Sequence, residues 1–153
     1  MRDHEFEVED SSAADSSSNR PGVLVVDDDN LVLIMLQLGL ERYGFNVWPA
    51  HNGVEAIQTL REQDGRITMA ILDLNMPDQD GAAIWEALRK IDPDLRVCFM
   101  SGDLNERRVL DLTRRGAALL IAKPFLIHEL AELLRLQANH ESVGLRQPAV
   151  ACN

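Results

Sequence analysis

From Pro21 onward, short apolar runs rich in β-branched residues alternate with stretches in which apolar residues recur every three or four positions. Residues 23–26 read as a strand and lead into helical periodicity to about Tyr43. Residues 46–50 lead to a helix over 54–63, 67–74 to one near 82–91, 95–100 to one near 104–115, and 117–122 to one near 127–137. Five strands in strict alternation with five helices imply a parallel sheet with right-handed crossovers and helices on both faces. Turn chemistry agrees: Asn52 and Glu55 have capping-box spacing, and Gly44, Gly65 and Gly116 each follow a helix.

The first helix, LVLIMLQLGL, is more apolar than one buried face requires. Val32, Met35, Leu36, Gly39 and Tyr43 fall at i, i+3, i+4, i+7 and i+11, the stripe expected to pack on the sheet. Leu31, Ile34 and Leu38 then form a second stripe, with Leu33 also outside the first, and this surplus is expected to mark an interface.

Outside 21–138 the periodicity disappears. Residues 1–20 are rich in Ser and acids and read as a disordered tail, and 139–153 as a C-terminal tail. The 153 residues hold 15 Lys and Arg against 25 Asp and Glu, a formal charge of −10 that disfavours a nucleic-acid surface and favours cationic partners. Cys98 and Cys152 make neither a disulfide framework nor a metal-binding spacing, the N-terminus lacks signal-peptide character, and no apolar run reaches membrane-span length. A cytoplasmic protein with no membrane partner is expected.

In an open parallel sheet, ligands collect beyond the carboxyl ends of the strands. The first strand ends in Asp27, Asp28 and Asp29, the third in Asp73, the fourth in Ser101 and the fifth in Lys123. Taken alone, three aspartates before a helix suit an N-cap, and Asp29 is expected to be one. The other strand ends change the reading of Asp27 and Asp28: carboxylates beside a hydroxyl and an ammonium suit a hard cation, Mg2+ above all, next to a phosphoryl group. A dinucleotide site would need a Gly-rich loop where this chain has DDDN.

With these residues in these places, and with LDLNMPDQDG around Asp73, the chain resembles the receiver domain of two-component response regulators over about residues 21–138. The resemblance implies a flavodoxin-like, doubly wound (βα)5 fold with strand order 2-1-3-4-5. It implies Asp73 as phosphoacceptor, Ser101 and Lys123 as its catalytic partners, and Mg2+ held by Asp27, Asp28, Asp73 and the backbone carbonyl of Asn75. It further implies a cis Lys123-Pro124 bond and a histidine kinase or histidine phosphotransfer protein as donor. Such a chain is no enzyme in the usual sense; it assists its own phosphorylation and dephosphorylation. Output passes to a downstream protein target or a homodimer, by binding or onward phosphotransfer, because too little sequence follows Gln137 for an effector module.

Asn75 and Asp103 are expected to flank the path of a hydrolytic water. Leu120 stands where the family often has an aromatic ring that moves with the switch. Two other classes compete: an aspartyl-phosphate hydrolase of the haloacid dehalogenase kind, whose nucleophile would follow the first strand, and a pseudo-receiver that binds without chemistry.

Overall fold

The computed structural model describes residues 19–139 and 149–151. The Ser-rich N-terminal segment expected as a tail lies outside the described residues except for Asn19 and Arg20, as does most of the C-terminal one. The order is β1 (Gly22–Val26), α1 (Asn30–Arg42), β2 (Asn46–Ala50), α2 (Gly53–Glu62), β3 (Met69–Asp73), α3 (Gly81–Ile91), β4 (Arg96–Ser101), α4 (Glu106–Arg114), β5 (Leu119–Ala122), α5 (Ile127–Asn139) and β6 (Ala149–Ala151). All the strands pair in parallel, in the order β2-β1-β3-β4-β5-β6. The expected 2-1-3-4-5 order is present. The short β6, which adds to β5, comes from the segment read as a tail; three residues carry no periodicity to read.

Side chains alternate across the sheet, so each inner strand feeds two cores. Leu24 and Val26 of β1 join Ala70, Leu72, Phe99 and Leu120 under α2, α3 and α4, whereas Val23 and Val25 join Ile71, Cys98, Met100 and Ile121 under α1 and α5. β2 is an edge strand, where Pro49 lacks a ladder donor at no cost to a second neighbour. Trp85 is 2 % exposed and meets Phe99 edge to face with centroids 5.1 Å apart.

Helix ends follow their caps. Asn52 accepts the Glu55 N–H, while the Glu55 carboxylate accepts from the His51 N–H one residue earlier than a standard capping box would place it. Gly44 and Gly116 close α1 and α4 with φ of 89° and 97°, the left-handed region where a Cβ is penalised.

The phase of α1 differs from the expected one. Leu33, Leu36 and Leu40 are its buried residues, while Met35 is 47 % and Tyr43 37 % exposed. Apolar residues occupy nearly every position of this helix, so periodicity alone cannot choose a face. The phase is set by where β1 and the Asp29 cap launch the chain. It is also set by α5: a Cβ on Gly39 would come within 2.8 Å of Ile127 Cγ2, so that side faces the other helix. Leu31, Ile34 and Leu38 are exposed, as expected of the second stripe.

Candidate functional site

β1 and β3 are neighbours, so the carboxylates at their carboxyl ends arrive side by side. Asp27 and Asp73 are 1 % and 4 % exposed, and Asp28 is exposed beside them. One oxygen from each of the three lies within 4.8 Å of the others. Burial raises the Asp27 pKa above the ordinary carboxylate range; the Asp29 N–H, donating from 2.9 Å, works against this, and the like charge of Asp73 adds to it. Asp29 itself turns outward and accepts the Leu31 N–H at 2.9 Å, the helix cap expected of it.

Lys123 supplies the local positive charge. Its Nζ lies 3.4 Å from Asp27 Oδ2 and 3.4 Å from Asp73 Oδ2, so it bridges the two buried acids instead of serving Asp73 alone. The Lys123 N–H donates to the Ser101 carbonyl, which ties the end of β5 to β4, and the Lys123-Pro124 bond is cis. Three carboxylates against one ammonium leave a negative balance, and their spacing and oxygen chemistry fit a hard divalent cation.

Asp73 Oδ1 accepts the Asn75 N–H at 2.9 Å, which orients the carboxylate and leaves Oδ2 toward Lys123. Ser101 is fully buried, and its Oγ accepts from Asn75 Nδ2 and from the Asp103 N–H, both at 3.1 Å. The Asn75 side chain therefore holds the hydroxyl at the end of β4, and Asp103 contributes a backbone donor while its residue is exposed. Leu120 is fully buried within the core, so no ring is available at that position.

Two contributors are not evident in the sequence. Gly81 packs so tightly on β3 that a Cβ would lie 2.7 Å from the Asp73 carbonyl oxygen; the Asp80 cap before it signals a helix start but not this close approach. Arg108 reaches from α4 to donate to the Leu74 carbonyl at 3.3 Å, a link across the sheet end that no local pattern announces.

The family profile described as "Response regulator receiver domain" matches residues 23–135, and the chain belongs to that family. It is 41 % identical over 117 residues to the transcriptional regulatory protein PrrA of Mycobacterium tuberculosis, which covers 76 % of this chain and 49 % of PrrA, so the chain spans about half the length of that relative. It is 30 % identical over 113 residues to the sensor kinase CckA of Brucella abortus, 74 % of this chain and 12 % of the kinase. Among solved structures, the CheX-CheY-BeF3-Mg2+ complex of Borrelia burgdorferi aligns with TM-score 0.72 and 26 % identity over 78 % of this chain and 90 % of that one. A receiver domain from Clostridium thermocellum also gives 0.72, at 25 % identity, over 78 % and 94 %.

Proposed function

We propose that this receiver domain accepts a phosphoryl group on Asp73 from a histidine kinase or histidine phosphotransfer protein and uses it as a Mg2+-dependent switch. One observation carries the reading: Asp73 is buried with one oxygen held by the Asn75 N–H, the other 3.4 Å from Lys123, and two further acids within 4.8 Å. The CheY relative solved with BeF3 and Mg2+ supports it. No helix among the described residues is long and apolar enough to cross a membrane, which agrees with the cytoplasmic setting proposed here.

Asp27, Asp28, Asp73 and the Asn75 carbonyl would hold Mg2+, which when bound screens the repulsion between a carboxylate nucleophile and phosphoryl oxygens. Asp73 Oδ2 attacks phosphorus; the bond from phosphorus to the donor's imidazole nitrogen breaks, and its electron pair stays on the imidazole. Lys123 passes from Asp73 to a phosphoryl oxygen. The Ser101 hydroxyl turns its hydrogen toward the same group, and residues 102–105, which join Ser101 to α4, follow. With Leu120 in the core, the change reaches the surface through this loop and α4 instead of through a swinging ring, and a protein target or second copy reads it.

Incubation with Mg2+ and a small phosphodonor tests the reading. A stoichiometric, hydroxylamine-labile adduct is expected; continuous turnover of the donor would indicate a hydrolase, and no adduct a pseudo-receiver. Asn75 is exposed, and its carboxamide, which donates to Ser101 Oγ, would border the approach of water to an acyl phosphate on Asp73. Asn75→Leu is expected to lengthen the adduct's lifetime severalfold while phosphorylation still occurs, as followed by decay of the labelled protein; identical decay would remove Asn75 from water's path.

The donor protein is proposed to dock on α1, where Leu31, Ile34, Met35 and Leu38 are 75, 45, 47 and 59 % exposed and α1 leads directly from the acidic cluster. Ile34→Glu with Leu38→Lys is expected to leave phosphorylation by a small donor unchanged and to slow transfer from the cognate protein about tenfold or more. Normal protein-to-protein transfer in a folded variant would place the interface elsewhere.

A further inference from the structure

Helix α4 departs from the acidic balance of the chain. Glu106–Arg114 and its C-cap Arg115 hold four arginines against two acids, in a protein of formal charge −10. Two of the four are used internally: Arg108 donates to the Leu74 carbonyl, and Arg115 pairs with Glu86 and Asp111 and lies over the Trp85 ring. Arg107 and Arg114 are exposed and make no ion pair among the described residues. Together with Leu110, 54 % exposed, they fall at i, i+3 and i+7, a stripe with cationic ends and an apolar middle. The neighbouring acid, Asp111, is engaged by Arg115 and so does not neutralise them.

The chain contains a segment of complementary composition. Residues 3–10, DHEFEVED, carry five acids around Phe6 and Val8, and lie outside the described residues. We propose that this segment docks on the Arg107–Leu110–Arg114 stripe of its own chain, with its acids toward the two arginines and Phe6 and Val8 over Leu110.

Spacing and reach both permit it. Arg107 and Arg114 are about 10 Å apart along the axis at 1.5 Å per residue. Glu5 and Glu9 in extended chain are about 13 Å apart, within reach of two long, flexible side chains. Arg114 ends a helix that runs back toward the amino ends of the strands, the same end of the sheet at which Asn19 enters β1. Residues 11–18 can span about 26 Å. The path from β1 across β3 and β4 needs two strand spacings of about 4.8 Å, and α4 adds a helix layer of about 10 Å. Single surface ion pairs are weak, but tethering makes the encounter intramolecular at an effective concentration on the order of millimolar. Because residues 102–105 join Ser101 to α4, a movement of Ser101 would alter the surface beneath the segment, and any partner using α4 would have to displace it.

The test uses the full chain with Ser11→Cys, just outside the docking segment, carrying a nitroxide and Cys152→Ser; Cys98 is buried and does not take the label. Loss of most of the amide NMR signal from residues 107–114 is expected, with recovery in Arg107→Glu/Arg114→Glu and, independently of any change in α4, in Glu5→Lys/Glu7→Lys/Glu9→Lys. Molar salt, which shortens the screening length to about 3 Å, should also restore the signal. Full signal in the starting protein would overturn the proposal. So would signal loss seen only when label and isotope are on different molecules, which would make the occupant a second copy's tail.

Discussion

Asp73→Asn is expected to abolish the phosphoryl adduct while leaving the fold intact. Asparagine is nearly isosteric and can still accept the Asn75 N–H that orients this side chain, but a carboxamide has no anionic oxygen with which to attack phosphorus. Lys123 would lose one of its two carboxylate partners and keep Asp27, so the ammonium would not be stranded. Removing the charge at Asp73 also removes a contribution that holds the Asp27 pKa up, and the titration of Asp27 should shift down in the variant. Intact-protein mass after incubation with a small donor checks the first effect, and carboxylate NMR across an acid titration checks the second. An adduct of equal yield on a folded Asp73→Asn protein would move the acceptor to another residue.

The second large effect concerns Asp28. It is the exposed member of the acidic trio, so removing it deletes no packed core contact, and Asp28→Ala should change stability by no more than about 0.5 kcal/mol. Its role as a metal ligand predicts a disproportionate functional loss. Substitutions in groups that merely support a ligand weaken metal affinity by about 10–100-fold, so deleting a ligand should weaken Mg2+ binding at least about tenfold. Phosphorylation at limiting Mg2+ should fall with it and recover when the metal is raised. Chelation should silence the wild type completely, whereas the variant's loss is partial and reversed by added metal. Calorimetric titration of Mg2+ into both proteins is the check, and equal affinities would exclude Asp28 from the metal's ligands.

Much of this site was legible because parallel-sheet topology converts sequence position into location. A side chain that ends a strand must lie at the carboxyl edge, so Asp27, Asp73, Ser101 and Lys123 converge once the alternation of elements is recognised. The two-core architecture followed from the same alternation. The phase of α1 was not legible, because a helix with leucines, isoleucine and methionine nearly all round offers several equivalent stripes, and tertiary contacts with β1 and α5 choose among them. Long-range contacts were also hidden. The bridging position of Lys123 between two acids, the hold of Asn75 on Ser101, the reach of Arg108 to Leu74 and the close approach of Gly81 to Asp73 join residues whose spacing carries no period. β6 was missed for the opposite reason: three residues within a segment of no pattern gain strand geometry only from the β5 edge they meet.

Asp73 is proposed as the residue that carries the phosphoryl group. This assignment is tested most directly by phosphorylating the wild-type chain with Mg2+ and a small donor, trapping the acyl phosphate by reduction, and locating the reduced residue by peptide mass spectrometry. A single modified position is expected, Asp73, converted to homoserine, with no modification when Mg2+ is omitted. Trapped product at any other carboxylate, or an unmodified chain in the presence of Mg2+ and donor, would contradict it.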